Sequence, residues 1–301
     1  MRDRFVKTLT DLSVKNKNII ILSGDIGNRM FDNFKKINPK KFYNCGIAEA
    51  NMVSMASGLA STGFLPFVYT ITPFVTTRCL EQIKIGLSYH NYPVTIVGTG
   101  SGLSYSELGP THHSFEDISI LRSLPNIRIL TPGDPNEVEE AIKLQLKNPK
   151  PTYIRLGKKG ESNIKFLTDL KSYNLRLISK GDQTLILSMG NITYECSIAV
   201  RRLMEKNIYV SHAHVFSIKP FDYKFLNKYK SIITVEEHSI YGGLGSIVSE
   251  YISTSSNLNV KHISLAMCDK YLNKSMNQDY ARKHFKISSN DVFEAVEKLY
   301  D

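Results

Sequence analysis

The sequence predicts an α/β fold with two doubly wound domains, each a mostly parallel sheet with helices on both faces. Short apolar runs alternate with amphipathic stretches along most of the 301 residues, and this alternation is typical of βαβ units. A charged stretch that begins at residue 157 interrupts the alternation, which restarts near residue 182. We therefore expect a first domain over 1–165, a linker over 166–181 and a second domain over 182–301.

The first half reads as alternating strands and helices. Strands are expected at 18–23, 64–70, 93–100, 126–132 and 151–157, and helices at 4–16, 43–63, 74–89, 114–124 and 134–148. A loop rich in glycine and serine, over 98–113, follows the third of these strands.

The second half repeats the alternation. Strands are expected at 183–191, 208–220 and 231–239, and helices at 193–207, 221–230 and 241–253. Because ligands of parallel sheets bind beyond the carboxyl ends of strands, the segments that follow strands are the candidates for a functional site. These segments are SGDIGN, YNCGIAE, VGTGSGLSYSELGPTHH and EEHSIYGGLGS.

The composition is that of a globular protein, with 42% hydrophobic and 22% charged residues. No apolar run approaches the ~20 residues of a membrane helix, and the N-terminus lacks the apolar core of a signal peptide. We therefore expect a cytoplasmic protein without membrane contact. The net charge of +10 comes from lysines spread along the chain, which indicates a solvated surface rather than nucleic-acid binding. The scattered cysteines are expected to be free thiols.

Several familiar motifs are incomplete. The segment GTGSGL follows a strand, but Leu103 stands where a dinucleotide-binding motif needs its third glycine. The pairs His112–His113 and His212–His214 have no cysteine or carboxylate at ligand spacing. We therefore expect these histidines to be packed or hydrogen-bonded, and we expect no metal site in this chain.

The stretch YNCGIAEANMVSMASGLASTG contains one acidic residue, Glu49, among small and apolar ones. Because apolar residues cover nearly every side of the predicted helix, we expect this helix to be buried. An acid in the first turn is stabilised by the helix dipole without any function. A buried lone carboxylate instead has a raised pKa, as a catalytic acid requires. The residues alone leave both interpretations open.

Four segments resemble transketolase, in its pyrimidine-binding and C-terminal domains: YNCGIAEANMVSMASGLASTGFLPFVYT, ELGPTHHSFEDISILRSLPNIRILTPGDPNEVEEAI, PTYIRLG and TVEEHSIYGGLGS. The resemblance runs over essentially the whole chain. The family binds thiamine diphosphate, and its other domain holds the diphosphate through Mg²⁺ with a G-D-G…N-N motif that this sequence lacks. The resemblance therefore implies the C-terminal subunit of a split transketolase. It also implies an N-terminal partner subunit that carries this motif and binds Mg²⁺, and a self-dimerising α2β2 heterotetramer.

The resemblance also implies roles for cofactor residues. Glu49 matches the glutamate that hydrogen-bonds N1′ of the aminopyrimidine and favours its imino tautomer, so that the helix must bury this carboxyl. Phe74 matches the aromatic residue that stacks on the aminopyrimidine, and Asp25 is expected to contact the cofactor. Ile71 and Thr77 stand where the family usually has two further aromatic residues.

The sugar side of the site is implied in the same way. His112 matches a catalytic histidine near the reacting carbon of the sugar. Arg2 and Arg155 match arginines that bind the sugar phosphate, for which a guanidinium offers two parallel hydrogen bonds. Arg29 stands where the family often has a serine beside that phosphate.

Two substrate contacts of the family are replaced. A usual histidine falls at Gly100, and an aspartate that contacts a ketose hydroxyl falls at Leu108. We therefore expect transfer of a two-carbon ketol unit from an unusual ketose. Two alternatives stay open: a β subunit of the 2-oxo acid dehydrogenase or decarboxylase type, and a non-catalytic scaffold partner. No catalytic role is expected for the second domain, in which EEHSIYGGLGS forms a turn and a subunit contact.

Overall fold

The computed structural model describes residues 1–27, 29–158, 160–167, 175–255 and 259–300. Its strands are β1 (Ile19–Ser23), β2 (Phe42–Asn44), β3 (Leu65–Ile71), β4 (Thr95–Thr99), β5 (Arg128–Leu130), β6 (Thr152–Arg155), β7 (Leu175–Ser179), β8 (Thr184–Met189), β9 (Ser211–Val215), β10 (Ser217–Lys219), β11 (Ser231–Ser239) and β12 (Lys261–Met267). Its α-helices are α1 (Arg2–Ser13), α2 (Asp32–Ile37), α3 (Glu49–Ser61), α4 (Thr72–Val75), α5 (Leu80–Gln82), α6 (Asp117–Arg122), α7 (Pro135–Lys147), α8 (Thr193–Glu205), α9 (Leu244–Thr254), α10 (Gln278–His284) and α11 (Ser289–Tyr300).

The first sheet has seven strands in the order β10-β5-β6-β4-β3-β1-β2. All neighbours in it are parallel except β10, which runs antiparallel to β5. Helices α1 and α7 bury Phe5, Leu9 and Val138 on one face of the sheet, while α3 buries Met52 and Val53 on the other. The carboxyl ends of β1, β3, β4 and β6 therefore open along one edge, where the predicted site residues follow.

The second sheet has five strands in the order β12-β11-β8-β9-β7, and β7 is antiparallel to β9. Helices α8 and α11 cover one face through Leu203 and Val296, and α9 covers the other through Ile247 and Val248. The predicted fold class, two mostly parallel sheets with helices on both faces, is confirmed.

The predicted helix over 74–89 is divided into segments. Helix α4 ends at Val75, a 3₁₀ turn follows over Thr77–Cys79, and a π-helical segment covers Ile83–Tyr89 after α5. At the first break Thr76 has φ −104° and ψ −80°, and its hydroxyl donates to the carbonyl of Thr72 at 2.8 Å. A threonine that bonds back to the preceding turn competes with the regular helix ladder.

The second half differs from the prediction in three places. The expected linker over 166–181 contains strand β7, and its residues 168–174 lie outside the described residues. The strand expected over 208–220 is divided into β9 and β10, and β10 joins the first sheet. The segment after Pro220 forms a 3₁₀ helix, Tyr223–Lys228, rather than the predicted α-helix. The domain boundaries otherwise stay a prediction. In the described part of the chain, no helix is both long and apolar enough to cross a bilayer.

A buried ion pair joins the two halves. The Nε of Arg155 at the end of β6 lies 2.7 Å from Oδ2 of Asp117, and the hydroxyl of Tyr153 donates to the same oxygen at 2.7 Å. Nη2 of Arg155 also donates to the carbonyl of Glu237 in β11 at 2.8 Å. Burial by itself would raise the pKa of Asp117, but the charges of Arg155 and His238 outweigh burial and hold it below its usual range.

We expect Asp117→Ala to destabilise the protein by about 3–5 kcal/mol, because it leaves the buried Arg155 guanidinium without its counter-ion. Chemical denaturation followed by circular dichroism measures this loss. Glu139→Ala is the matched control: Glu139 pairs with Arg4 at 3.0 Å and Lys143 at 2.8 Å near the surface. Its loss is expected to stay below about 1 kcal/mol. Equal losses in the two variants would contradict the role given to the buried pair.

The difference between wild type and Asp117→Ala should depend on pH. Because the folded-state pKa of Asp117 is depressed, its stabilising contribution is complete above the unfolded value of about 3.9 and is lost as pH falls through the folded value. Unfolding curves at pH 7 and at pH 2–3 measure this. A difference that is just as large in acid would contradict the ion-pair interpretation.

Candidate active site

Glu49 is the first residue of α3 and is buried, with 4% of its surface exposed. Gly24, at the end of β1, lies beside it: a Cβ on Gly24 would stand 3.8 Å from Glu49 Oε1 and 3.0 Å from the hydroxyl oxygen of Thr70. A larger residue at position 24 would therefore crowd the carboxyl.

The expectation that α3 is buried all round is wrong. Only Glu49, Met52, Val53, Ala56 and Ala60 are buried in this helix. The opposite side carries exposed small residues and Met55, which is 40% exposed, and Ile47 just before the helix is 83% exposed. The physical reason is that the exposed side carries Asn51, Ser54, Gly58 and Ser61 beside Met55, so only the other side of the helix packs against the first domain.

Arg78 lies between Glu49 and Phe74, the two residues predicted to hold the aminopyrimidine. Its Nη1 donates to Glu49 Oε2 at 2.7 Å, and its guanidinium carbon lies 4.3 Å from the centroid of the Phe74 ring. The side chain of Arg78 is 46% exposed, whereas that of Glu49 is 5% exposed. A planar group that carries N–H donors therefore fits between this carboxylate and this ring.

His112 completes this side of the site. Its ring centroid lies 5.3 Å from that of Phe74, edge to face, and Nδ1 lies 2.9 Å from the hydroxyl oxygen of Thr111. Partial burial lowers the pKa of His112. Its imidazole is consequently neutral at pH 7 and has Nε2 available as a single proton donor or acceptor.

Tyr105 fills the space that the absence of a side chain at Gly100 leaves open. A Cβ on Gly100 would stand 1.9 Å from Cε2 of Tyr105, and the φ of Gly100 is +74°. The ring of Tyr105 lies 6.2 Å from that of His112, and the Nζ of Lys158 lies 4.8 Å from its centroid. Burial raises the pKa of the Tyr105 hydroxyl, and the charge of Arg2 opposes this effect. Arg2 and Lys158 thus lie near one aromatic wall of the site.

Asp25 and Arg29 share a cavity of about 360 Å³ at the ends of β1 and β2. Oδ1 of Asp25 accepts a hydrogen bond from Asn44 at 3.0 Å. The side chain of Arg29 is 87% exposed and lies 3.4 Å from Asp32, and Lys35 also lines the cavity. The cavity is therefore bordered by two cations that an anionic ligand can reach.

Arg155 is placed elsewhere. The resemblance implies that it binds a sugar phosphate, but it is 2% exposed and bonded to Asp117 and Glu237. Because β6 ends under the second domain, the guanidinium of Arg155 binds groups of the protein itself. Arg155 therefore connects the two halves and does not line the cavity. Lys158, three residues further along and 33% exposed, reaches the site instead.

The two histidines of the second predicted pair, His212 and His214, are buried inside the fold. His212 lies 2.8 Å from the hydroxyl of Ser188, and burial lowers its pKa to about 3. His214 Nε2 lies 2.9 Å from Glu137 Oε2. Among the residues that the structure describes, no group of three or more His, Cys, Asp or Glu side chains is placed to hold a metal ion.

In EEHSIYGGLGS, Glu236 accepts from the backbone amides of Leu244 at 2.7 Å and Gly245 at 2.8 Å, which forms the expected turn.

Three residues of this site were not predicted: Arg78, Tyr105 and Lys158. Arg78 follows Phe74 by four residues, the spacing at which two helical side chains meet, and this signal was available in the sequence. Tyr105 and Lys158 belong to loops that follow β4 and β6, and no local pattern indicates their direction. Thr77 and Leu108 stand where the resemblance expects an aromatic ring and a carboxylate. The Thr77 hydroxyl donates to Glu116 at 2.9 Å, and Leu108 is 53% exposed.

We expect Gly100→Ala to destabilise the protein by about 2 kcal/mol or more, because its Cβ meets the Tyr105 ring and the left-handed backbone is strained. Gly109→Ala is the matched control, since Gly109 has φ +83° but nothing within 4 Å of a Cβ. The two thermal midpoints measure the difference. Adding Tyr105→Ala to Gly100→Ala should recover stability to the level of the control. A double variant no more stable than Gly100→Ala would contradict the contact.

Comparisons with known proteins identify both domains of the chain. Residues 1–160 match the transketolase pyrimidine-binding domain and residues 174–292 match the transketolase C-terminal domain. The chain is 35% identical to one of the subunits of an apulose-4-phosphate transketolase from Phocaeicola vulgatus, over 84% of this chain and 83% of that protein. It is 27% identical to a 6-deoxy-6-sulfo-D-fructose transketolase subunit from a Clostridium species, over 99% of this chain and 94% of that protein.

A solved structure has the same fold along the whole chain. It is described as a split gene transketolase, an inactive beta4 tetramer, and it superposes with a TM-score of 0.86 at 27% identity, covering 99% of this chain and 96% of that one. Both domain types match, and they match in the same order along a chain of nearly the same length. The chain therefore belongs to the transketolase family and corresponds to the C-terminal half of a split transketolase.

Proposed function

We propose that this chain is the C-terminal subunit of a two-chain transketolase that moves a two-carbon ketol unit from a ketose to an aldose. The observation that supports this most directly is the buried Glu49 carboxylate. It binds the planar guanidinium of Arg78, which lies over the Phe74 ring. When bound, thiamine diphosphate supplies a carbon nucleophile and an electron sink for breaking the bond beside a ketose carbonyl. Glu49 and Phe74 fit its aminopyrimidine, and Asp25 lines the adjoining cavity.

Glu49 and His112 are the residues that move protons in this proposal. With the cofactor bound, the Glu49 carboxyl would hold or release a proton toward the aminopyrimidine, and its burial would keep water away from this contact. His112, neutral at pH 7 because its pKa is lowered, donates or accepts a proton at Nε2 on the sugar side. The T-shaped contact of His112 with Phe74 orients the imidazole toward the same space.

The substrate is a ketose that ends in an anionic group. Arg2 and Lys158 lie beside Tyr105, and Arg29 lies at the mouth of the neighbouring cavity, so cations border the site on two sides. One relative is named for a sugar phosphate and another for a sulfonated sugar. Both sugars carry an anionic group. Arg2, Arg29 and Lys158 would bind the anion.

We infer that the sugar hydroxyls are recognised in an unusual way. Tyr105 takes the space above Gly100, where the resemblance expects a histidine, and Leu108 offers no carboxylate. An aromatic ring and an apolar side chain thus replace two hydrogen-bonding groups. Such a pocket favours a ketose that presents less hydroxyl surface to this wall, as a modified sugar does.

The diphosphate and Mg²⁺ belong to an N-terminal partner subunit in this proposal. Among the described residues no acidic cluster fits a metal, and the sequence has no G-D-G motif. The outer side of α3 and the residues before it, where Ile47 and Met55 are exposed, would be the surface that partner chains cover in an α2β2 assembly. A cytoplasmic location stays a prediction.

We expect Glu49→Gln to lower turnover by at least about a hundredfold, because the amide cannot exchange a proton with the aminopyrimidine. The two-chain complex is assayed with ketose phosphate donors, aldose acceptors, thiamine diphosphate and Mg²⁺, with pyruvate as a separate donor. Glu205→Ala, at an exposed position in α8, is the control. Turnover of Glu49→Gln within a few-fold of wild type would refute its role. Product formation from pyruvate and none from ketoses would refute ketol transfer.

We expect Lys158→Ala to raise the KM of a phosphorylated ketose by roughly tenfold with little change in kcat, because a charged hydrogen bond to the phosphate is lost in both ground and transition states. The unphosphorylated ketose should be unaffected. Lys147→Ala, an exposed lysine at the end of α7, is the control. An equal rise in KM for both sugars would contradict a phosphate contact.

A further inference from the structure

Arg78 bridges the carboxylate and the aromatic ring to which the proposed function assigns the aminopyrimidine. One guanidinium makes both contacts: it bonds Glu49 Oε2 at 2.7 Å and lies over the Phe74 ring at 4.3 Å. The group is planar and offers several N–H donors. It therefore presents to these two residues the same features as a protonated aminopyrimidine.

We propose that Arg78 is a displaceable counter-ion of Glu49, which must leave before the aminopyrimidine can bind. This inference rests on the proposed function. Two planar groups cannot both stack on the same face of Phe74 and reach the Glu49 carboxylate. Each would occupy the full van der Waals thickness next to the ring. Arg78 and the cofactor consequently compete for one position, and each excludes the other.

The burial of the two partners explains why the exchange is feasible. Glu49 is nearly inaccessible, and a buried carboxylate without a partner is unfavourable, so a counter-ion stabilises this chain until the cofactor arrives. Arg78 is 46% exposed and extends from a short 3₁₀ turn, Thr77–Cys79. Its side chain can rotate into solvent without moving the sheet or α3.

The competition lowers the apparent affinity for the cofactor. When only a fraction of the sites is open, the apparent dissociation constant equals the intrinsic one divided by that fraction. Removing Arg78 leaves the Glu49–Phe74 site open at all times. The cofactor then no longer has to break an ion pair and a cation–π contact in order to bind.

The test measures thiamine diphosphate binding to the intact two-chain complex with Mg²⁺ by isothermal titration calorimetry. Arg78→Ala is expected to lower the dissociation constant about five- to tenfold, the size expected from one partly exposed ion pair and one cation–π contact. Arg4→Ala is the matched control: Arg4 also pairs with a carboxylate, Glu139 at 3.0 Å, and its side chain is 36% exposed. Its dissociation constant should equal that of wild type.

The outcomes separate this inference from the proposed function. If wild type binds the cofactor and Arg78→Ala binds equally well or more weakly, Arg78 does not compete, and this inference is overturned while the proposed function stands. If neither complex binds thiamine diphosphate, the proposed function fails and the inference fails with it. If Arg4→Ala also binds more tightly, a general charge effect replaces the competition at Glu49, and the inference is again overturned.

Discussion

The guanidinium of Arg155 ties the two α/β halves into one structure, and the position of the site depends on it. It is held by Asp117 on one side and by the Glu237 carbonyl on the other. Glu237 in turn accepts from the Leu103 amide at 3.0 Å and pairs with Arg282 at 2.6 Å. The loop after β4 is thereby attached to the second domain. Because buried charges require complete pairing, this network specifies one mutual arrangement of the halves.

The attachment of the loop after β4 to the second domain determines part of the shape of the site. The loop that carries Tyr105 and His112 follows Leu103 directly, so the junction determines where both rings lie. On the opposite side, Glu49 and Arg78 belong to the first domain alone and are positioned by α3 and by the broken helix after β3. The rings of Tyr105 and His112 therefore depend on the junction between the halves, whereas the Glu49–Arg78 pair depends on the first domain alone.

The order of strands and helices could largely be predicted from the sequence, because each sheet is covered on both faces and its strands are continuous apolar runs. The predictions differ from the structure where a side chain competes with the backbone ladder, as Thr76 does in 74–89. They also differ where a short strand pairs with a remote one, as β10 does with β5. The burial of α3 was overestimated because its polar and small residues, Asn51, Ser54, Gly58 and Ser61, share one exposed side of the helix.

For the site, the sequence by itself determined that an isolated carboxylate begins an apolar helix and that Phe74 and His112 follow strand ends of the same sheet. The resemblance to transketolase added that glycine stands at position 100 in place of a histidine usual in the family. Only the tertiary structure decided that Arg78 pairs with Glu49, that Tyr105 fills the space above Gly100, and that Arg155 is internal while Lys158 is not. The reason is physical: residue type and spacing specify local conformation, whereas the partner of a charge depends on which distant groups folding brings within a few ångströms.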